Sequence, residues 1–262
     1  MTWDEINKKR LPYIRMGDRL FKGMYNEIKK QLKIVIQDWN TPEQITEAAS
    51  GFRFDDEIVK AAYMRFYVRT GIHYARDMQK GISKRLELKD NTEDVWMDII
   101  KNYVHTDVGL RIEEVTRTHY KDIERITKKA VELGIEKGWG ADKIERAIMN
   151  GANAKIMKGG LGELAKWKAL QISRTEVVAA SNKGVSIGAD ELVGNKKKVW
   201  ISTFSQTSRP GHMAMDGVRV AYRDDFYVDG EYLEFPGDPK GSAENIINCR
   251  CGYEIIVEPE IY

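Results

Sequence analysis

The stretch "GNKKKVWIST", residues 194–203, divides the chain into two kinds of sequence. Before it, apolar residues recur at steps of three and four. From it onward they alternate, with Val199 and Ile201 on one face of a strand and Trp200 on the other. Strand-like runs return at "GVRVAY" (217–222), "DFYVDGEYLEF" (225–235) and "CGYEIIVEP" (251–259). In the second of these, Asp229-Gly230 predicts a tight hairpin turn, because both residues tolerate the positive φ that such a turn demands. The sequence therefore predicts an α+β fold, a long helical N-terminal region followed by a small β-rich C-terminal domain. The boundary falls near residue 158: a helical body or arm over 1–158, then a domain of one helix and a small antiparallel sheet over 159–262.

Ahead of the switch the helical period is strong. In "LRIEEVTRTHYKDIERITKKAVELGIEKGWG" (110–140), Ile112, Val115, His119, Ile123, Ile126, Ala130 and Leu133 draw a continuous stripe along one helix. Thr106 or Asp107 is a candidate cap for its start and Gly138 or Gly140 for its end. His119 lies in the stripe and reads as a core histidine. Other helices are expected over 3–37, over 55–80 with the core or interface aromatics Tyr63, Phe66, Tyr67 and Tyr74, in "DNTEDVWMDIIKNY" (90–103), in "GADKIERAIMNG" (140–151, closed by Gly151) and over 162–193. Thr41-Pro42-Glu43 opens a short one with an N-cap and a proline in the first turn. The glycines of "IMKGGLGEL" (156–164) lack both the Lys-Ser/Thr ending and the preceding strand of a phosphate-binding loop, so they read as a turn between helices.

Composition narrows the class. With 42% apolar and 31% charged residues over 262 positions, the chain is too apolar for disorder and can bury one large or two modest cores. No run approaches the roughly 18 apolar residues of a membrane span, and "MTWDEINKKR" has no apolar signal stretch, so a protein folding in a cytoplasm is expected. The net charge of +2 argues against a dedicated nucleic-acid binder. It is unevenly spread: from Lys196 on there are 8 Lys and Arg against 11 Asp and Glu, so the basic excess belongs to the preceding body. Cys249 and Cys251, the two cysteines, are one residue apart. A bridge between such neighbours would be strained, which favours free thiols or thiolate ligands.

Several unusual residues follow one another late in the chain: the helix "ISRTEVVAASNKG" with Arg174, Thr175, Glu176, Asn182 and Gly184, the Trp200 strand, Arg209 and His212 ahead of Asp216-Gly217, the turn "FPGDP", and "INCRC". In this order and spacing, residues 160–256 resemble the phage Mu F-like minor head proteins, the head-morphogenesis or minor capsid proteins of tailed bacteriophages. The resemblance implies a structural, non-enzymatic virion component, present in few copies near the portal vertex and assisting head assembly and DNA packaging or delivery. Portal and other capsid proteins are the implied partners, with non-specific contact to packaged DNA and self-association also compatible. The implied location is the virion, and the host cytoplasm during assembly. Toxin domains attached to the family usually follow the shared region, and with the sequence ending at Tyr262 none is expected. The loop Phe204-Ser205-Gln206-Thr207 departs from relatives, which usually carry one or two aspartates there.

Three readings of the late constellation stand side by side. Cys249 and Cys251 at i and i+2 project to one side of a strand, and with His212 and Asp216 would supply thiolates, an imidazole and a carboxylate for zinc. Alternatively Arg174, Glu176, Asn182, Arg209, His212, Asp216, Asp238 and Asn248 form a polar lock that braces a small domain. In it Arg174 pairs with Asp216 or Glu176, Asp238 accepts from its own turn, and the cysteines are small buried apolar residues. Thirdly, Arg174, Ser202-Thr203 and a later glutamate faintly match the pattern of ADP-ribosyltransferases, although Arg174 is expected on a helix rather than a strand. The leading expectation is no catalytic residue and no cofactor, with zinc as the one candidate metal. The alternatives are a phage-borne effector enzyme, ADP-ribosyltransferase- or nuclease-like, and a zinc-stabilised adaptor.

Overall fold

The computed structural model describes residues 2–82, 92–151 and 160–258. It bears out the α+β reading: a long helical N-terminal region precedes a small antiparallel β part. The helices are α1 (Trp3–Ile36), α2 (Pro42–Gly51), α3 (Glu57–Ile82), α4 (Thr92–Thr106), α5 (Gly109–Glu136), α6 (Ala141–Asn150), α7 (Gly160–Asp190), and the short α8 (Pro210–Ala214) and α9 (Ala243–Ile246). Local signals fix several ends. Thr41 caps α2 through a capping box, its Oγ1 accepting from Gln44 N–H while Gln44 Oε1 accepts from Thr41 N–H. Gly138 takes φ 63° just beyond α5, and Gly151 takes φ 83° at the end of α6. The turn expected at 156–160 falls largely outside the described residues, as do Asp90 and Asn91 ahead of α4 and Pro259 after the last strand.

Two compact units are built from these elements. The first takes the described residues up to Gly17, those of Met64–Gly109 and those from Gln171 on; the second takes Asp18–Tyr63 and the described residues of Leu110–Leu170. In the second, the stripe of α5 is buried at Ile123, Ile126, Ala130 and Leu133, and Phe21, Leu32, Ile45, Val59, Ile144 and Ile148 complete an apolar core. His119 is inside that core, stacked on Tyr25 with ring centroids 4.5 Å apart.

In the first unit, α7 is buried on nearly every side from Ile172 to Asn182, so its sequence shows little apolar stripe. Small residues let α3 approach it. A Cβ on Gly184 would collide with the Gly71 carbonyl oxygen, and one on Gly188 would lie 2.5 Å from that of Ala75. Beyond Asp190 the chain turns into β1 (Asn195–Ile201), with β2 (Arg219–Ala221) and β5 (Gly252–Glu258) antiparallel on either side in the order β2-β1-β5. Trp200 pairs with Tyr253 and Val199 with Glu254 and Arg219. A separate hairpin joins β3 (Phe226–Val228) to β4 (Glu231–Leu233). Its turn residues Asp229 and Gly230 both have positive φ, 48° and 88°.

Alternation along β1 is as the sequence reads, and the buried face is that of Lys198 and Trp200. The lysine stem lies against Phe226, 5.3 Å from the ring centroid to Nζ, and its ammonium donates to Glu234 O at 2.6 Å. Burial pushes its pKa down, with Glu234 and three nearby aspartates opposing.

Candidate functional site

Both cysteines, His212 and Arg10 meet in the first unit, each less than a tenth exposed. Their placement follows from short local devices. Pro210 occupies the first turn of α8, where its missing N–H costs nothing, and two residues later the helix presents His212 inward. Trp200 meets the imidazole edge-on, centroids 5.5 Å apart. Across from it, α9 ends and Asn248 takes the left-handed conformation, φ 56°, its N–H donating to Thr175 Oγ1 of α7 at 3.0 Å. Asparagine is among the few residues that adopt this conformation readily. The chain then straightens into β5, so Cys249 and Cys251 face the same way.

His212 Nδ1 lies 3.6 Å from Cys249 Sγ and 3.6 Å from Cys251 Sγ. The three ligand-capable atoms all fall within 4.8 Å of one another. Ser202 Oγ adds a contact at 3.7 Å to Cys251 Sγ. The sulfurs share a proton unequally. The hydrogen bond from Cys249 holds the Cys251 thiol well below its ordinary range, helped by His212 and Ser202 against burial, while Cys249 is pushed up by its bond to Cys251 and by burial. The other imidazole nitrogen is committed too. Nε2 lies 3.3 Å from Asn245 Oδ1, and Asn245 Nδ2 donates to Glu231 Oε2 at 2.9 Å, which fixes the amide orientation. Nε2 must then carry the hydrogen, and Nδ1 turns its lone pair to the sulfurs.

Arg10 of α1 closes the site from the inner side. Its Nε donates to Ser181 Oγ at 2.9 Å, Nη2 to Asn182 Oδ1 at 2.8 Å, and Nη1 to the carbonyls of Arg250 and Cys251 at 3.1 and 3.0 Å. Burial lowers its pKa, and the phenol of Tyr74 and the two cysteines oppose that shift. Asn182 in turn donates to Pro236 O at 2.6 Å, and its own carbonyl accepts from Tyr253 OH at 3.0 Å. Sequence reasoning missed Arg10. The available signal was its position four residues after Ile6, on the same buried helix face.

The remaining residues singled out from sequence are distributed as follows. Asp238 is buried in its turn, accepting from Glu234 N–H at 2.8 Å and Lys240 N–H at 3.1 Å. Burial raises its pKa and these bonds pull it back. Asp216 is exposed and accepts from Ser202 N–H at 2.8 Å, fastening the end of β1; its carboxylate is not in the His-Cys-Cys group. Glu176 is buried and accepts from Tyr67 OH at 2.5 Å. Among the described residues Arg174 makes no ion pair with Asp216 or Glu176. It is exposed at the wall of an open cleft of about 490 Å³ whose floor includes His212, Cys249 and Cys251. Arg209 and Arg250 share that wall, and Arg209 donates to Ile247 O at 2.7 Å. The loop without aspartates is held by hydroxyls: Ser208 Oγ bonds Thr203 O, Ser205 N–H and Ser205 Oγ.

His212, Cys249 and Cys251 lie in the part of the chain that matches a known family. The chain is similar to the uncharacterized protein YqbB of Bacillus subtilis (strain 168), 28% identical over 127 residues that make up 46% of this chain and 42% of that protein. It is similar to the NAD(+)--arginine ADP-ribosyltransferase EFV of Enterococcus faecalis (strain ATCC 700802 / V583), 28% identical over 124 residues, 42% of this chain and 25% of that protein. The alignments thus span less than half the length of either relative. No solved structure gives a significant match. Residues 126–254, from the middle of α5 into β5, match the family described as Phage Mu protein F like protein, and that segment of the chain is phage Mu F-like.

Proposed function

We propose that this phage head-related protein is a structural minor component of a tailed-phage capsid, non-enzymatic, present in few copies near the portal, and assisting head assembly and DNA packaging or delivery. The single observation that carries the proposal is the family match over 126–254, which covers the polar cluster. The geometry supports a bracing role for that cluster. Asn182, Asp216, Asp238 and the backbone of Asn248 each bond another part of the chain, as bracing groups do. Mass spectrometry of purified virions, combined with cross-linking, tests the role: the chain should be found in heads and linked to portal or capsid subunits. Heads that lack it should have altered DNA content or infectivity, and normal heads with normal titre would refute the proposal.

The relative named as an ADP-ribosyltransferase raises the enzymatic alternative, but the alignment spans only 25% of that protein. Here Arg174 is exposed on α7, a helix rather than a strand, and the nearby Glu176 is buried under the Tyr67 hydroxyl. The full chain incubated with NAD⁺ and an arginine acceptor should transfer no ADP-ribose. Transfer that is lost with Glu176→Gln would overturn the non-enzymatic reading.

A further inference from the structure

The geometry points to a divalent zinc site formed by His212 Nδ1, Cys249 Sγ and Cys251 Sγ at the floor of the arginine-walled cleft. A tetrahedral zinc with sulfur at about 2.3 Å and nitrogen at about 2.0–2.1 Å holds those atoms about 3.6 Å apart. Both sulfur–nitrogen separations are 3.6 Å. A buried structural lock has no need for this equality, since one hydrogen bond would satisfy the imidazole. Soft thiolates with an imidazole select zinc over magnesium or calcium, which prefer oxygen.

The surroundings are those of a metal ligand set. The chain Glu231–Asn245–His212 directs the Nδ1 lone pair at the sulfurs, the arrangement that orients a ligating histidine. Ser202 Oγ stands by Cys251 Sγ, and Arg10 anchors the backbone carbonyls on both sides of the Cys251 Cα. Binding forms two Zn–S bonds and one Zn–N bond and releases to water the proton that the two sulfurs share. Two thiolates balance the 2+ charge, so the loaded site is neutral. Asp216 stays with Ser202 N–H and supplies no fourth ligand; that position belongs to the cleft and is filled by water.

The test uses the full chain without a polyhistidine tag. Elemental analysis of protein from zinc-replete culture should find about one zinc per chain. Replacement by Co²⁺ should give thiolate-to-cobalt charge transfer and the visible bands of a tetrahedral site. Cys249→Ser and Cys251→Ser should lose the metal, Asn245→Ala should weaken zinc binding by about 10- to 100-fold, and Arg174→Ala on the cleft wall should keep full stoichiometry. If a cysteine variant fails to fold, the cobalt spectrum of the unsubstituted chain decides. A folded chain that carries no zinc and gains neither cobalt band on titration would overturn the assignment.

Discussion

Arg10 Nη2 donates to Asn182 Oδ1 at 2.8 Å, joining α1 to α7 across 172 positions of sequence. The same guanidinium holds Ser181 and two carbonyls next to the cysteines. A planar fork with five donors can serve four acceptors at once, and lysine cannot. Arg10→Met should therefore cost about 3–5 kcal/mol, the range for breaking a buried charged network by removing one member. Arg10→Lys should recover only a minor part. Urea unfolding of the two variants checks this, and equal stability of Arg10→Lys and the parent would refute it.

His119 gives an acid-sensitive term. Burial in the second unit, with Lys168 nearby and Asp122 opposing, lowers its pKa to about 4 from an ordinary 6.5. The unfolded chain therefore binds a proton that the folded chain refuses. The neutral histidine's contribution is complete above about pH 6.5 and is lost progressively as pH falls toward 4. The loss amounts to about 3 kcal/mol. His119→Phe should flatten this part of the stability profile in denaturation measured at several pH values.

Close approach of α3 to α7 makes Gly184 intolerant of a side chain. Gly184→Ala places a methyl against the Gly71 carbonyl and 2.9 Å from Tyr74 Cβ, and should destabilise by about 1–3 kcal/mol. Gly23 in α1 is exposed with nothing within 4 Å of a Cβ. Gly23→Ala should instead stabilise by about 1 kcal/mol, the helix-propensity gain. Thermal melts of the two variants should move in opposite directions.

The left-handed Asn248 sets the direction of the two cysteines. Asn248→Ala should cost about 1–2 kcal/mol from backbone strain alone, and Asn248→Gly should be close to neutral. Equal losses in both variants would show that the side chain, not the backbone, matters there.

Signals confined to a few residues were legible in the sequence. Thr41-Pro42 opened a helix, Asp229-Gly230 turned a hairpin, the stripe with His119 proved to be core, and the C-x-C spacing put both sulfurs on one side. Signals that need the chain to meet itself were not. Alternation separated Trp200 from Val199 but did not say that Lys198 would be buried beside the tryptophan, because the Glu234 carbonyl that accepts from it lies 36 positions away. Asp216 was a natural fourth zinc ligand by residue type, yet the nearest need in space was the Ser202 amide. Arg174 was grouped with the carboxylates for its charge, and the structure gives the buried arginine's place to Arg10.

The distance in sequence between Arg10 and its acceptors has a meaning for synthesis. The last of them, the carbonyl of Cys251, is 241 positions downstream. While a ribosome is still making those residues, the arginine stays hydrated and its helix lacks the partners that justify its interior charge. Withdrawal of that cation from water is thus a late event in biogenesis, and a fragment released early would display an ionic group where the finished molecule has a sealed junction.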